Sequence, residues 1–470
     1  MSCKIFHVDA NFRQLPSVDA VLSDERIKQL AYPHRMVLNL VRLELDGWRH
    51  RIAAGEDPPP LDRIIEAVRR RGEALGNPSL RRVINASGVI LHTNLGRAPL
   101  SRDAIDAMDA VSRGYCNLEF DLGSGDRGSR QVHIESLLAE ITGAEAAFVV
   151  NNNAAAVLLS LTALARKGEV IISRSQAVEI GGGFRIPDVM RQSGARLIEV
   201  GTTNCTYPAD YEQAVTPRTV AVMRVHSSNF RITGYTTQVS LEDMTAIARR
   251  HNLLVFDDLG SGCFLDTALF GLAHEPTVHH SIAAGAGLTL FSGDKLVGGP
   301  QAGLIAGNKE LVDRLKRHPL ARAVRIDKVR LAGLAATLIH YLRGEASEQI
   351  PVWRMIAAPL ADVSKRALKW SEALAGLARV VPGETMVGGG SLPGDTMLTW
   401  LVALGGDEKH AEMARVAAAM LRSQDIPLVG RISEDILLLD PRSVLPEEDE
   451  TVISILKKAA PELRSLLQGA

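Results

Sequence analysis

From residue 146 to residue 307 the chain repeats one pattern. A short run of almost wholly apolar residues is followed by a longer stretch whose apolar residues fall three and four apart. The apolar runs are 147–151, 170–174, 196–201, 220–226, 253–258, 288–292 and 302–307. Each is too short for a helix and too continuous for a strand with one wet face, so each reads as a strand buried on both sides. The stretches 241–250 and 309–317 between them carry helical spacing. Strands alternating with helices predict a mostly parallel sheet of about seven strands, covered by helices on both faces.

The two ends of the chain have a different texture. Residues 1–80 are arginine-rich and helical in pattern, with one helix opening near Ser23, Asp24 and Glu25, another over 34–51 and a third over 61–75. The triple proline at 58–60 separates the last two. After about residue 346, the spacing predicts helices over 363–377 and 410–422 and a strand over 397–404. Two further strands, 427–432 and 435–440, read as paired around Ser433 and Glu434, and a last helix starts near Pro446. The expected organisation is a helical domain over 1–80, a large α/β domain over 81–345 and a smaller α/β domain over 346–470.

Composition narrows the class. Of 470 residues, 46% are hydrophobic and 23% charged, as in ordinary globular proteins. The formal net charge of -1 gives no overall attraction to nucleic acid, although a local basic surface can still exist. Cys3, Cys116, Cys205 and Cys263 form no CxxC pair, and no histidines show metal-ligand spacing. Reduced, mostly buried thiols and no metal are expected. The first residues lack the apolar core of a signal peptide, and no apolar stretch is long enough to span a bilayer, which makes the cytoplasm the expected location.

Candidate chemistry lies where strands end. Lys295 follows the strand 288–292 in SGDKLVGG (292–299), at the edge of the sheet where open α/β folds place ligands. Its amine can form a Schiff base with an aldehyde cofactor. NNNAAAV (151–157) follows the first strand and opens a helix, a suitable place for a phosphate against Asn152, Asn153 and Ala154. The same residues also suit an ordinary helix cap. VFDDLGSG (255–262) places two aspartates at another strand end. Asp258, with Asp257 in reserve, can hold a proton on a pyridine nitrogen. Ser292 can add a hydrogen bond to a phosphate, and Asp294 can tune the neighbouring lysine. Arg97, Arg322 and Arg325 offer guanidinium groups for an anion, the last two spaced to share one helix face. His226, at a strand end, is the one histidine with a place near the site.

The residues INASGVILHTNLGRAPLS (84–101), VNNNAAAVLLSLTALA (150–165), VEIGGGFRIPDVMRQSGA (178–195), EVGTTN (199–204), DLGSG (258–262) and SGDKLVGGPQAG (292–303) together resemble bacterial selenocysteine synthase, the L-seryl-tRNA(Sec) selenium transferase family. GGGSLPGD (388–395) and PLVGRI (427–432) extend the resemblance to nearly the whole chain. It implies a fold-type-I pyridoxal 5'-phosphate enzyme in which Lys295 carries the cofactor. It implies conversion of seryl-tRNA(Sec) to selenocysteyl-tRNA(Sec) with selenophosphate, by way of a dehydroalanyl aldimine. Arg97, Arg322 and Arg325, with Asp294 beside them, match the family's selenium-donor site. The N-terminal domain would bind the tRNA, and the subunits would form a ring of dimers, a decamer. This chain departs from the family pattern at Cys205, where arginine is usual, at Cys263, where serine is usual, and at Gln176 and Ala177.

Two rival readings follow from the same residues. One is a pyridoxal-phosphate lyase or transferase that acts on a small amino acid without tRNA. The N-terminal extension argues against it. The other is a noncatalytic tRNA-binding scaffold, which would have no use for Lys295, Asp258 and Ser292 together.

Overall fold

The computed structural model of the protein describes residues 12–181, 183–405 and 411–468. The expectations for Cys3, for the first eleven residues and for His410 as a helix start lie outside the described residues. The chain divides into two compact units, Met1–Arg82 and Val83–Ala470.

In the first unit the helices Glu25–Lys28, His34–Ala53 and Leu61–Gly76 follow the sequence pattern closely, and a short helix Val18–Leu22, which the pattern does not give, precedes them. Ser17 and Asp24 cap the first two by accepting backbone N–H groups in the first turn. Val21, Ile27, Leu40, Val41, Leu45, Trp48, Ile64 and Val68 form the core. These positions recur on one face of each long helix, and their burial holds the unit together. The Arg51 guanidinium lies 3.5 Å from the centre of the Trp48 ring. Arg69 and Arg70 both pair with Glu66, so part of the arginine excess is neutralised locally.

The second unit is built on a seven-stranded sheet. In chain order its strands are β1 Ala146–Val150, β2 Glu169–Ser173, β3 Arg196–Val200, β4 Thr219–Val225, β5 Leu254–Gly260, β6 Leu288–Ser292 and β7 Gly303–Gly307. All seven match expected runs to within two residues. Their order across the sheet is β1-β7-β6-β5-β4-β2-β3. Every pairing is parallel except those of β7, which runs antiparallel to both β1 and β6. Successive side chains of a strand go to opposite faces. Val170 and Ile172 enter one core with the helices Asn153–Leu164 and Lys309–Arg317, while Ile171 enters another with Leu241–His251. Both faces are therefore apolar, which is why the runs look continuous in sequence.

The chain after residue 346 adds a four-stranded antiparallel sheet. It consists of β8 Ala378–Gly388, β9 Ser391–Gly405, β10 Arg431–Ser433 and β11 Ile436–Leu439, in the order β8-β9-β11-β10. The sequence pattern misses β8, because Pro382, Gly383, Glu384 and Thr385 interrupt its apolar character. It also places the β10–β11 turn one residue early. Glu434 and Asp435 form it, both with positive φ (50° and 57°), the geometry of a tight two-residue hairpin turn. The expected strand over 427–432 is broken at Gly430. Its first half, Leu428–Val429, pairs with Ile84–Asn85 instead, so the start of the second unit is stitched to its end. Among the described residues, no helix is long and apolar enough to cross a membrane.

Candidate active site

The carboxyl ends of β1, β5 and β6 converge on a cavity of about 420 Å³ lined by Arg97, Asn152, Asn153, Ala154, Asp258, Ser292, Asp294 and Lys295. The seven residues expected to hold the cofactor or act beside it thus meet at one place, although up to 143 positions separate them in sequence. Thr93 and Gln301 also line the cavity and carried no sequence signal.

Lys295 is 4% exposed. Burial, with the Arg97 guanidinium nearby, lowers its pKa below the usual lysine range, against the pull of Asp258 and Asp294. A lysine held toward its neutral form can attack an aldehyde. Asp258 is 2% exposed, and burial raises its pKa to about 6, with Asn153 and Lys295 opposing that rise. Asn153 Nδ2 donates to Asp258 Oδ1 at 2.8 Å. Asp257 points to the other face of β5, where Arg224 holds it with two 2.7 Å hydrogen bonds and Ser281 donates to it. Strand alternation therefore leaves Asp258, not Asp257, facing the cavity.

The helix Asn153–Leu164 begins at the cavity wall. Asn152 is its cap, with Oδ1 accepting from Ala155 N at 2.8 Å. The N–H groups of Asn153 and Ala154 stand at the helix start, where no intrahelical partner exists, and suit an anion. The Asn153 side chain serves Asp258 rather than the anion, a division of labour that the sequence does not reveal. A Cβ at Gly303, the first residue of β7, would lie 2.1 Å from the Asn152 carbonyl oxygen. Only glycine lets that strand pass so close to the helix start.

Arg97 lies at the cavity mouth with a φ of 65°, a conformation unusual for arginine. Its Nη1 donates to Asp294 Oδ2 at 2.9 Å. Asp294 thus aims Arg97 rather than standing alone beside the lysine. Arg322 and Arg325 differ from expectation. The helix Pro319–Ala323 ends between them, so they share no helix face. Arg325 forms a bridge with Val150 and pairs with Glu119 at 3.3 Å, and neither arginine lines the cavity. The thiols also differ: Cys263 is buried, but Cys116 is exposed and Cys205 only partly covered.

A buried lysine of lowered proton affinity, a buried carboxylate with one oxygen left for a partner, and an open helix start fit pyridoxal phosphate at its aldehyde, its ring nitrogen and its phosphate.

Comparison with known proteins gives consistent results. The family described as L-seryl-tRNA selenium transferase matches residues 83–445, and the one described as selenocysteine synthase N terminal matches residues 12–49. An L-seryl-tRNA(Sec) selenium transferase of Geobacter sulfurreducens is 45% identical over 468 residues, covering 96% of this chain and 99% of that protein. The proteins of that name from Nitratidesulfovibrio vulgaris and Moorella thermoacetica are 46% and 47% identical, covering 95% of this chain and 98% and 96% of their own lengths. Among solved structures, D-glucosaminate-6-phosphate ammonia-lyase superposes with a TM-score of 0.57 at 20% identity, over 83% of this chain and 98% of that one. That likeness concerns the fold alone.

Proposed function

This chain belongs to the L-seryl-tRNA selenium transferase family, and from that premise we propose that it converts seryl-tRNA(Sec) to selenocysteyl-tRNA(Sec) with pyridoxal 5'-phosphate bound at Lys295. The observation that carries the reading is the cavity at Lys295, with Asp258 and the open helix start on its walls, in a chain that matches its relatives over nearly their full lengths.

Bound pyridoxal phosphate supplies an electron sink for the α-carbon of an amino acid joined to it through its amine. The protein does the rest. The N–H groups of Asn153 and Ala154 bind the phosphate, with Ser292 beside them. Asp258 holds a proton at the ring nitrogen, and Asn153 fixes the carboxylate that does so. Lys295 would accept the α-proton at its Nζ; its low proton affinity would return it readily to the neutral form. The seryl β-hydroxyl would leave as water, protonated from Lys295 Nζ; selenium of the donor would bond to the β-carbon, and water would cleave its phosphorus–selenium bond to release phosphate. Arg97, aimed by Asp294, holds the anionic donor near that carbon, an effect of charge and position.

The donor is selenophosphate, and the N-terminal unit binds the tRNA. Arg322 and Arg325 join the donor site only if another part of an assembly brings an anion to them. The protein works in the cytoplasm as a ring of dimers, a decamer. Exposed Tyr115, Phe120 and Leu122, close together in the chain, support association, since large apolar groups left in water favour contacts. Mass in solution tests the assembly. The activity is tested by following conversion of seryl-tRNA(Sec) with and without selenophosphate, and with free serine in place of the charged tRNA. Turnover of free serine alone would overturn the reading in favour of a small-molecule enzyme.

A further inference from the structure

Glu275 is 2% exposed, yet among the described residues it has no arginine or lysine within ion-pair distance. Its Oε1 lies 3.2 Å from His226 Nε2, and the Ser261 hydroxyl also acts on the carboxylate. Its Oε2 accepts from the Leu392 amide at 3.4 Å. A buried carboxylate is costly, and one neutral amide and one hydroxyl do not require its charge.

His226 and Leu392 both lead to the lysine. His226 follows β4; its N donates to the Asp258 carbonyl oxygen at 2.9 Å, and its own carbonyl oxygen accepts from Ser228 N at 2.9 Å. Leu392 is the second residue of β9, two residues beyond Gly390, which lies in the turn between β8 and β9. It holds a positive φ of 49°, a strained conformation for leucine. A Cβ placed on Gly390 would lie 3.0 Å from Lys295 Nζ and 3.3 Å from Ser228 Oγ. The turn, the serine and the lysine amine therefore meet at one point. On its other side Glu275 borders a second cavity, of about 380 Å³, that it shares with His226 and Arg231.

We propose that Glu275 is a positioning residue of the Lys295 site: it holds the segment from His226 to Ser228 through the imidazole, holds the 388–390 turn over the amine through the Leu392 amide, and lends its negative charge to the proton held at Nζ. This rests on Lys295 being the cofactor lysine. The charged groups around Nζ are Arg97, Asp258, Asp294 and Glu275, with burial opposing the charged form. Those around Glu275 are His226, Lys295 and the Cys263 thiol, with the Ser261 hydroxyl and the Leu392 amide as neutral partners. Burial pushes the Glu275 carboxyl up, but His226, Ser261 and the Leu392 amide together more than offset it and the pKa lies below the usual range, so the group is anionic at neutral pH.

The test uses the holoenzyme. The absorbance of the lysine-bound cofactor is titrated with pH in the wild type, Glu275→Gln and Glu275→Asp. Removing a negative charge near a cationic nitrogen lowers its pKa, so Glu275→Gln moves the midpoint down by about half a unit or more, and Glu275→Asp restores it in part. With seryl-tRNA, kcat falls about tenfold in Glu275→Gln while KM changes little. His226→Gln combined with Glu275→Gln costs less than the product of the two single losses, because both act through one contact. An unmoved midpoint in Glu275→Gln overturns the proposal. If that variant does not fold, Glu275→Asp decides: a midpoint below that of the wild type together with reduced kcat supports the proposal, and a wild-type midpoint or an unchanged kcat overturns it. A wild type with no lysine-bound band would instead overturn the assignment of Lys295, so the two failures are distinct.

Discussion

Asn153 and Asp258 are joined by a 2.8 Å hydrogen bond that ties the helix start at β1 to the acid at the end of β5. In the proposed function, that bond would link the residues that hold the cofactor phosphate to the acid that would face its ring nitrogen. It also lowers the proton affinity of Asp258, which burial otherwise raises. Asn153→Ala removes that support and raises the Asp258 pKa above its value of about 6. The expected outcome is a loss of activity of about tenfold or more at pH 7, from a charge-assisted bond worth about 1.5–3 kcal/mol. The acidic limb of the pH–rate profile should move to higher pH, which a series of assays from pH 5 to pH 9 measures.

Asp258 also sets a stability cost. Its pKa is about 6 in the folded chain, against 3.8 for an unperturbed aspartate. The folded state therefore binds the extra proton between those values, and the cofactor-free protein loses stability as pH rises through that window. The difference corresponds to about 3 kcal/mol as an upper figure. Asp258→Asn removes the charge. Without cofactor its Tm at pH 7 should exceed that of the wild type, while its activity is lost. An equal or lower Tm would contradict the argument.

Lys295→Ala should abolish both turnover and the absorbance of the lysine-bound cofactor, with far-ultraviolet circular dichroism unchanged. Turnover retained without an added amine would remove Lys295 from its role.

Arg97 and Asp294 act as a pair. Asp294→Asn keeps the shape but weakens the hold on Arg97, and Arg97→Lys cannot reproduce a planar guanidinium contact. Both should raise the KM for the selenium donor about tenfold and leave the KM for seryl-tRNA nearly unchanged. Equal effects on both substrates would place Arg97 elsewhere in the mechanism.

Trp48, 2% exposed, fills the centre of the N-terminal unit. Trp48→Ala should cost that unit about 3–5 kcal/mol. Binding of tRNA, read by filter retention, should weaken sharply, while the cofactor absorbance stays as in the wild type. Undiminished tRNA binding would show that the unit is not the tRNA contact.

Gly303→Ala tests the packing of the helix start. The added Cβ would meet the backbone of Asn152 and Asn153, which cannot rotate away as a side chain does. A loss of about 2 kcal/mol or more in stability is expected, together with weaker cofactor binding, measured by equilibrium dialysis.

The sequence by itself determined the seven sheet strands, because strands buried on both faces must be apolar at every position, and such runs are visible without tertiary information. It also determined Lys295, Asp258 and Ser292 as site candidates, since each stands where a strand ends. The strand Ala378–Gly388 escaped it, because a strand wet on one side and broken by proline and glycine has no such signature. Only the tertiary structure decided that Asp258 and not Asp257 faces the cavity, that the Asn153 side chain serves Asp258, and that Arg325 turns to Glu119. Ser228, Glu275 and Gly390 were likewise found only through folding, which carries residues up to 162 positions apart to one lysine. Local periodicity is a property of neighbours along the chain; the direction of a side chain at a strand end, and the partner it meets there, depend on where the other strands stop.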